Sequence, residues 1–384
     1  LRSAQADAAT RIGQAMGEDL NVVWNLTLAA NIISAWVPYG QLETIAAVPG
    51  VRQVSLETRY APCVVQREES ADPNMATSAT QIGSPAAYAA GYTGAGSRIA
   101  VIDTGIEIGN RSFAESSYQH SLGQLAALEG MEPEAYLAQL GLLDAEEIGR
   151  VLEQLNVYAL NPQFSAQSYY ENSKIPFRFN YVDGKLNVTH ELDLQGEHGS
   201  HVAGIASANR YIANEDGTFS LALDTTRVQG VAPDAQLLIM KVFGASGGAY
   251  DSDYMAAIED AIVLGADSVN LSLGSNAPGF VQSRLYQDIL DALAESDTVV
   301  CMSAGNAGHY ADSGKHALPG YLYADDVSMN TTGSPGTATN SVSVASSDNV
   351  GLTYYSFQVG GETFVYSETS MADDPYLYNY PLSY

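Results

Sequence analysis

The stretch Glu197-His198-Gly199-Ser200-His201-Val202-Ala203-Gly204-Ile205 sets a histidine at the mouth of a run of very small residues. Val202 to Ala208 reads Val-Ala-Gly-Ile-Ala-Ser-Ala, which predicts a helix packed so close to another element that side chains must be almost absent. A histidine at the start of such a helix is held rigidly with its ring free to face outward, as a general base requires. Other readings stay open at this point. His198 and His201 are spaced to share a helical face, so a metal pair is conceivable, as is a satisfied core histidine. Zinc usually asks for His-Glu-x-x-His or cysteine ligands, and neither pattern is present.

Two further polar groups fall at the ends of predicted strands. Arg98-Ile99-Ala100-Val101-Ile102 reads as a buried strand that ends on Asp103-Thr104-Gly105. A carboxylate at the C-terminal end of a buried strand lies where open α/β sheets place their active sites. Asn306 follows Ser303-Ala304-Gly305 after the apolar strand Thr298–Met302. Aspartate before histidine is one of the known chain orders of a Ser-His-Asp triad. In such a triad the carboxylate fixes the imidazole tautomer and stabilises its protonated form. The imidazole takes the proton from a serine hydroxyl, which is a weak nucleophile until so assisted. An amide donor such as Asn306 would hold the oxyanion of the tetrahedral intermediate.

The surrounding elements are those of an α/β fold. Residues 3–17 predict a helix, 21–37 two strands, 40–48 a short helix closed by Pro49-Gly50, and 51–56 an alternating strand. Residues 61–82 are polar and irregular and read as a linker. Residues 114–170 are leucine- and alanine-rich helices, with Asp144 and Glu147 marking an N-terminus, and read as an inserted decoration that packs on the surface. Thereafter strands at 236–243, 268–273, 298–302 and 341–345 alternate with helices at 253–264 and 281–294. That alternation implies a parallel sheet covered by helices on both faces.

Composition narrows the function further. Hydrophobic residues make up 46% and charged residues 16% of the 384 positions, which describes a globular protein. The net charge of −28 repels phosphate backbones and argues against nucleic-acid binding. The two cysteines, Cys63 and Cys301, make no disulfide framework, and Cys301 sits in an apolar run that reads as core. No apolar run approaches a membrane span. The chain opens on Leu1 without a signal-peptide pattern and is expected to have been trimmed.

Four segments, "IAVIDTGI" (99–106), "HGSHVAGI" (198–205), "VNLSLG" (269–274) and "SAGN" (303–306), resemble in order the signatures of subtilisin-like serine peptidases. The resemblance implies that Asp103 and His198 are the triad aspartate and histidine and that Asn306 is the oxyanion-hole donor. It implies that Ser272, Leu273 and Gly274 pair with an extended substrate, and that Ser303, Ala304 and Gly305 wall the pocket before the scissile bond. Gly199 and Gly204 match glycines that permit close packing, and His201 becomes a packing residue. The helix–strand–strand–helix–strand unit at residues 1–62, with its "AAVPGVRQVSLE" close, resembles a ferredoxin-like propeptide of the inhibitor I9 type. Such a unit acts as an intramolecular inhibitor whose C-terminal segment lies through the active site. Autocleavage then falls between Tyr60 and Ser78, at or within the linker that runs over 63–82.

There are departures from the pattern. Ser200 stands where threonine is usual, and Asn110 where histidine often follows the aspartate motif. The long stretch between Asp103 and His198 is accounted for by the helical insert. With "KIPFRFNYVDG" (174–184) and "VASSDN" (344–349), it is similar to the cell-envelope branch of lactocepins and C5a peptidases. In that branch a protease-associated domain is inserted between the asparagine and the serine. The expected layout is a catalytic domain at 83–350 and the start of a protease-associated-like domain at 351–384. The family adds expectations of polypeptide substrates, secretion or attachment to a bacterial cell wall, and calcium as a structural ion, no cofactor being required.

The family nucleophile lies in Gly-Thr-Ser-Met-Ala-x-Pro and opens a buried apolar helix. This chain has Glu368-Thr369-Ser370-Met371-Ala372-Asp373-Asp374-Pro375. Glu368 replaces the glycine of the tight turn, and Asp373-Asp374-Pro375 with "YLYNYPLSY" suits no buried helix. The serine is therefore expected beyond Tyr384, in a longer protein, and residues 1–384 alone are expected to be inactive. Rival readings are a non-catalytic peptide-binding homologue, a metalloenzyme using His198 and His201, and a structural α/β domain.

Overall fold

The apolar runs read from the sequence form the core of the computed structural model, which describes residues 1–28, 30–62, 75–189, 196–244, 249–274, 290–291, 295–305, 332–347 and 355–366. At the front, α1 (Arg2–Met16) packs with α2 (Leu42–Ala46) and against an antiparallel pair, β1 (Asn21–Leu26) and β2 (Ile32–Trp36). Ile12, Ile45 and Val48 form a small core between them. The strand expected at 51–56 does not form. Val51 and Val54 both pack on this small core. Residues three apart point to opposite faces of a strand, so burying both together breaks the pleat. The next strand is β3 (Arg59–Pro62), which belongs to a different sheet.

Within the stretch read as a linker, α3 (Met75–Gln81) is helical, and α4 (Ser84–Ala89) follows. β4 (Arg98–Asp103) enters the main sheet. The insert is helical as expected: α5 (Glu115–Leu128), α6 (Pro133–Leu140), α7 (Ala145–Val151), α8 (Asn156–Leu160) and α9 (Ala166–Tyr169). Asp144 caps α7 by accepting from the backbone N–H groups of Glu146 and Glu147 at 2.8 and 2.9 Å. The insert is more than a decoration, because Ile148, Leu155, Val157 and Tyr169 enter the main core.

Part of the segment 174–184 forms β5 (Phe177–Asn180), an edge strand with Phe177 and Phe179 buried. Then come α10 (His198–Ser207), a hairpin of β6 (Tyr211–Ala213) and β7 (Phe219–Leu221), and α11 (Ala222–Thr225). β8 (Gln236–Lys241), β9 (Ala249–Tyr250), α12 (Asp251–Val263), β10 (Ser268–Leu271) and β11 (Leu273–Gly274) follow. The helix expected at 281–294 lies almost wholly outside the described residues. β12 (Val299–Ser303) and β13 (Val342–Val344) complete the sheet, and β14 (Tyr355–Val359) pairs with β15 (Glu362–Tyr366) in a separate hairpin.

The main sheet runs β13-β12-β10-β4-β8-β5, with every neighbouring pair parallel. Strand alternation divides its faces. Val101, Leu237 and Ile239 join the cluster with Ala203 of α10, whereas Ala100, Ile102, Leu238 and Met240 join the cluster with Ala256 and Ala257 of α12. The chain fills one side of β4 with β5 and β8, then crosses to the other side with β10. β4 is thus the switch point of the sheet, and Asp103 is its last residue.

The front unit is seated on α12. Trp24 is buried in the main core, and its Nε1–H donates to Asp253 Oδ1 at 2.8 Å. Thr58 N–H donates to Asp251 Oδ2, Leu28 N–H to Glu259 Oε1 at 3.0 Å, and the Ser34 and Ser252 hydroxyls meet at 3.0 Å. Burial pushes the carboxyls of Asp251 and Asp253 up to about 6, with the charge of Glu57 adding to both. Burial likewise raises Asp260, which accepts from Asn156 N–H, Val157 N–H and the Tyr181 hydroxyl, to about 7.

These raised values fix a pH dependence. A carboxyl raised in the folded state stabilises that state fully below its unfolded value, near 4, and the contribution is lost as pH rises through 6 to 7. Thermal stability should therefore fall between pH 5 and pH 7.5. Asp253→Asn keeps an acceptor for Trp24 and should remove its share of that slope, of the order of 1.5 kcal/mol over this range. Melting curves across this range check both statements. An unchanged slope in the variant would clear Asp253 of the effect.

Candidate active site

His198 is the first residue of α10, and Asp103 ends β4. The structure brings them together: His198 Nδ1 lies 2.7 Å from Asp103 Oδ1. The carboxylate is fully buried, and the imidazole is 13% exposed. Asp103 Oδ1 also accepts from Thr104 N–H at 2.6 Å. With Nδ1–H donated to a carboxylate, the neutral ring keeps Nε2 as its acceptor, the tautomer a general base needs.

The tight approach of α10 to the β4 turn creates this contact. Gly105 takes φ 99°, and a Cβ placed there would fall 1.9 Å from the Val188 carbonyl oxygen. A Cβ on Gly199 would fall 2.1 Å from Gly105 O, so the two glycines stack backbone on backbone. Gly199 N–H donates to Thr104 Oγ1 at 2.8 Å. Glu107 N–H donates to Ser200 Oγ at 2.8 Å, and that hydroxyl donates to Glu197 Oε2 at 2.5 Å. The small-residue reading holds at Gly199 but not at Gly204, where nothing lies within 4 Å of an added Cβ. His201, expected to pack, is exposed, because its position turns it away from the sheet.

Lys241 is a site neighbour that sequence reasoning missed. It pairs in register with Asp103 across β4 and β8, is 2% exposed, and donates from Nζ to Thr104 O at 2.5 Å. A lysine closing an apolar strand was the available signal. It braces the turn on which Asp103, Thr104 and Gly105 stand.

The candidate substrate residues lie beside a second, three-stranded sheet. β3 runs antiparallel between β11 and β9, with Leu273 opposite Pro62, Gly274 opposite Ala61, Ala249 opposite Tyr60 and Tyr250 opposite Arg59. Ser272 precedes β11 and accepts from Asn270 Nδ2 at 2.9 Å. Ser303, the last residue of β12, donates from its hydroxyl to Leu273 O at 3.1 Å. Ala304 N–H donates to Val344 O and Ala304 O accepts from Gly333 N–H, and Gly305 follows with φ 91°. Leu273, Gly274 and Ser303 are thus adjacent. Asn306 and Ser370 lie outside the described residues.

Among the described residues no three His, Cys, Asp or Glu side chains form a group that could hold a metal ion. The Nδ1 of His198 is engaged by Asp103, and His201 is turned outward.

Comparison with known proteins gives a family and several relatives. A model of the subtilase family, Peptidase_S8, matches residues 94–375. The chain is 37% identical over 183 residues to the PI-type proteinase of Lactococcus lactis subsp. cremoris, covering 47% of this chain and 9% of that protein. It is 33% identical over 178 residues to a C5a peptidase of Streptococcus pyogenes, covering 46% of this chain and 14% of that protein. The minor extracellular protease Vpr of Bacillus subtilis (strain 168) is 27% identical over 316 residues, or 80% of this chain and 28% of that protein. The chain thus spans less than a third of the length of these relatives.

Proposed function

We propose that this chain, which belongs to the subtilase family, is the front part of a serine endopeptidase made as a zymogen. The observation that carries the proposal is the Asp103–His198 bond of 2.7 Å at the switch point of the sheet. In this reading His198 Nε2 takes the proton from a serine hydroxyl as that oxygen attacks the substrate carbonyl, and then gives it to the leaving amine. Asp103, buried beside the ring, stabilises the imidazolium that forms between these steps. Asn306 is assigned the oxyanion, and Ser303, Ala304 and Gly305 the pocket before the scissile bond.

An extended polypeptide would lie between β9 and β11, pairing through the backbone of Leu273 and Gly274, with Ser272 at the entry to β11. β3 occupies that slot here, which supports residues 1–62 as an intramolecular inhibitor. The remaining boundaries, a linker at 63–82 with autocleavage between Tyr60 and Ser78 and a protease-associated-like segment from 351, belong to the same proposal. The hairpin of β14 and β15 supports the latter. Calcium as a structural ion stays an expectation of the family, and no step is routed through it. Among the described residues no helix is long and apolar enough to cross a membrane. With a relative named extracellular, this fits a secreted or wall-associated enzyme.

The test is maturation of the full-length protein. Incubation should cleave an added unfolded polypeptide and release the front unit by a cut between Tyr60 and Ser78, mapped by mass spectrometry. Binding of the polypeptide without any cleavage would show a peptide-binding homologue instead.

A further inference from the structure

β1 carries one aromatic side chain of the front unit into the body of the protein, where Trp24 is 2% exposed. The pairing of β1 with β2 shifts register between Val22 and Trp24, so Val23 is an extra residue that re-aims the strand. Trp24 then stands opposite Ser34, and both meet the first turn of α12. The indole Nε1–H donates to Asp253 Oδ1 at 2.8 Å, and the Ser34 and Ser252 hydroxyls lie 3.0 Å apart. The indole ring packs beside Tyr181, with centroids 5.6 Å apart.

Both of these walls are held by the body itself. Asp253 Oδ2 accepts from Tyr250 N–H at 3.2 Å, which leaves Oδ1 for the indole. The Tyr181 hydroxyl donates to Asp260 Oδ2 at 3.0 Å, and Phe179 meets the Tyr181 ring edge-on at 5.3 Å. The socket therefore keeps its shape without its occupant. It is also separate from the slot between β9 and β11, because β3 fills that slot and β1 lies in a different sheet.

We infer that the Trp24 socket is an indole-binding exosite, which takes a tryptophan side chain of another polypeptide once the front unit has left. The inference rests on the reading of residues 1–62 as a unit that is released. Tryptophan puts an N–H donor on the edge of a large flat apolar ring, and that is what Asp253 and Tyr181 together fit. Phenylalanine would leave the buried carboxylate without its partner, and that loss discriminates far more strongly than apolar contact does. An exosite away from the reacting bond holds substrate and transition state alike. It should lower KM for tryptophan-bearing polypeptides and leave kcat unchanged.

The test uses the matured full-length enzyme and N-acetyltryptophanamide, with the 1-methylindole analogue, whose donor is replaced by a methyl group, as its control. Ligand-observed NMR should show the parent compound binding about tenfold or more tightly than the control. That ratio should fall toward one in Asp253→Leu. It is read within one preparation, so loss of folded enzyme cancels. The compound should not compete with a short peptide substrate that lacks tryptophan. Trp24→Ala in the full-length chain empties the same socket, so indole should raise its Tm and 1-methylindole should not. Equal binding of the two compounds, a ratio that Asp253→Leu does not move, competition with the peptide, or no effect of indole on Trp24→Ala overturns the exosite and leaves the peptidase reading standing. A front unit that mass spectrometry finds still bound after processing overturns the released-inhibitor reading, and with it an exosite open to other polypeptides.

Discussion

Asp103→Asn in the full-length protein is expected to lower kcat on peptide substrates by about 10⁴-fold while leaving KM little changed. The carboxylate makes no contact with substrate in the proposed mechanism. It acts through the ring 2.7 Å away, as an acceptor for Nδ1–H. An amide at the same place can present N–H to the ring, which then carries its proton on Nε2 and has no lone pair for the serine. The loss should appear in the chemical step and not in binding, since β9 and β11 are untouched. His198→Ala should be at least as damaging. Steady-state kinetics on one fluorogenic peptide measure both. A thermal unfolding curve for Asp103→Asn within a few degrees of the parent would separate lost chemistry from lost fold. A fall in KM-dependent binding with kcat preserved would contradict the assignment.

Gly199→Ala is expected to cost more than about 3 kcal/mol and to abolish activity as well. The added methyl would sit 2.1 Å from Gly105 O, which is backbone and cannot rotate aside. Either α10 lifts from the β4 turn or the turn itself distorts. Both outcomes separate His198 from Asp103, and a displacement of about 1 Å is enough to disable a triad. Gly105→Ala should be as severe, because its φ of 99° adds backbone strain to a 1.9 Å clash with Val188 O. Gly204→Ala, in the same helix, is the internal control. Nothing lies within 4 Å of its new methyl, so helix propensity makes it neutral or stabilising by up to about 1 kcal/mol. Denaturant unfolding of the three variants tests the contrast. Equal effects at Gly199 and Gly204 would show that the backbone stacking is not what fixes the helix.

The parts of this site that were legible in the sequence are those whose chemistry demands particular residue types. Asp103 closes an apolar strand and His198 opens a small-residue helix, and both signals are local. The sheet was legible because its central strands β4 and β8 are largely buried and read as continuous apolar runs. What escaped depends on tertiary register. Lys241 matters because it lies beside Asp103 on the adjacent strand, and Thr104 because it meets the first turn of α10. Neither position follows from spacing along the chain. β5 was hidden because Phe177 and Phe179 stand in a short, charged stretch after Pro176. The strand expected at 51–56 was a misreading of period. Val51 and Val54 serve one small core, so the segment cannot pleat. Gly204 and His201 show the complementary error of extending a motif beyond its contact. Close packing occurs at the first turn of α10, where Gly199 meets Gly105, and not at Gly204, and His201 faces solvent.

The central claim, that the Asp103–His198 pair activates a serine, has one direct measurement. The full-length protein is treated with a fluorophosphonate probe, and the modified residue is mapped by mass spectrometry in the parent and in His198→Ala. The mechanism requires one serine that is labelled in the parent and unlabelled in the variant. Absence of label in the parent, or labelling that persists at equal rate without His198, would contradict it.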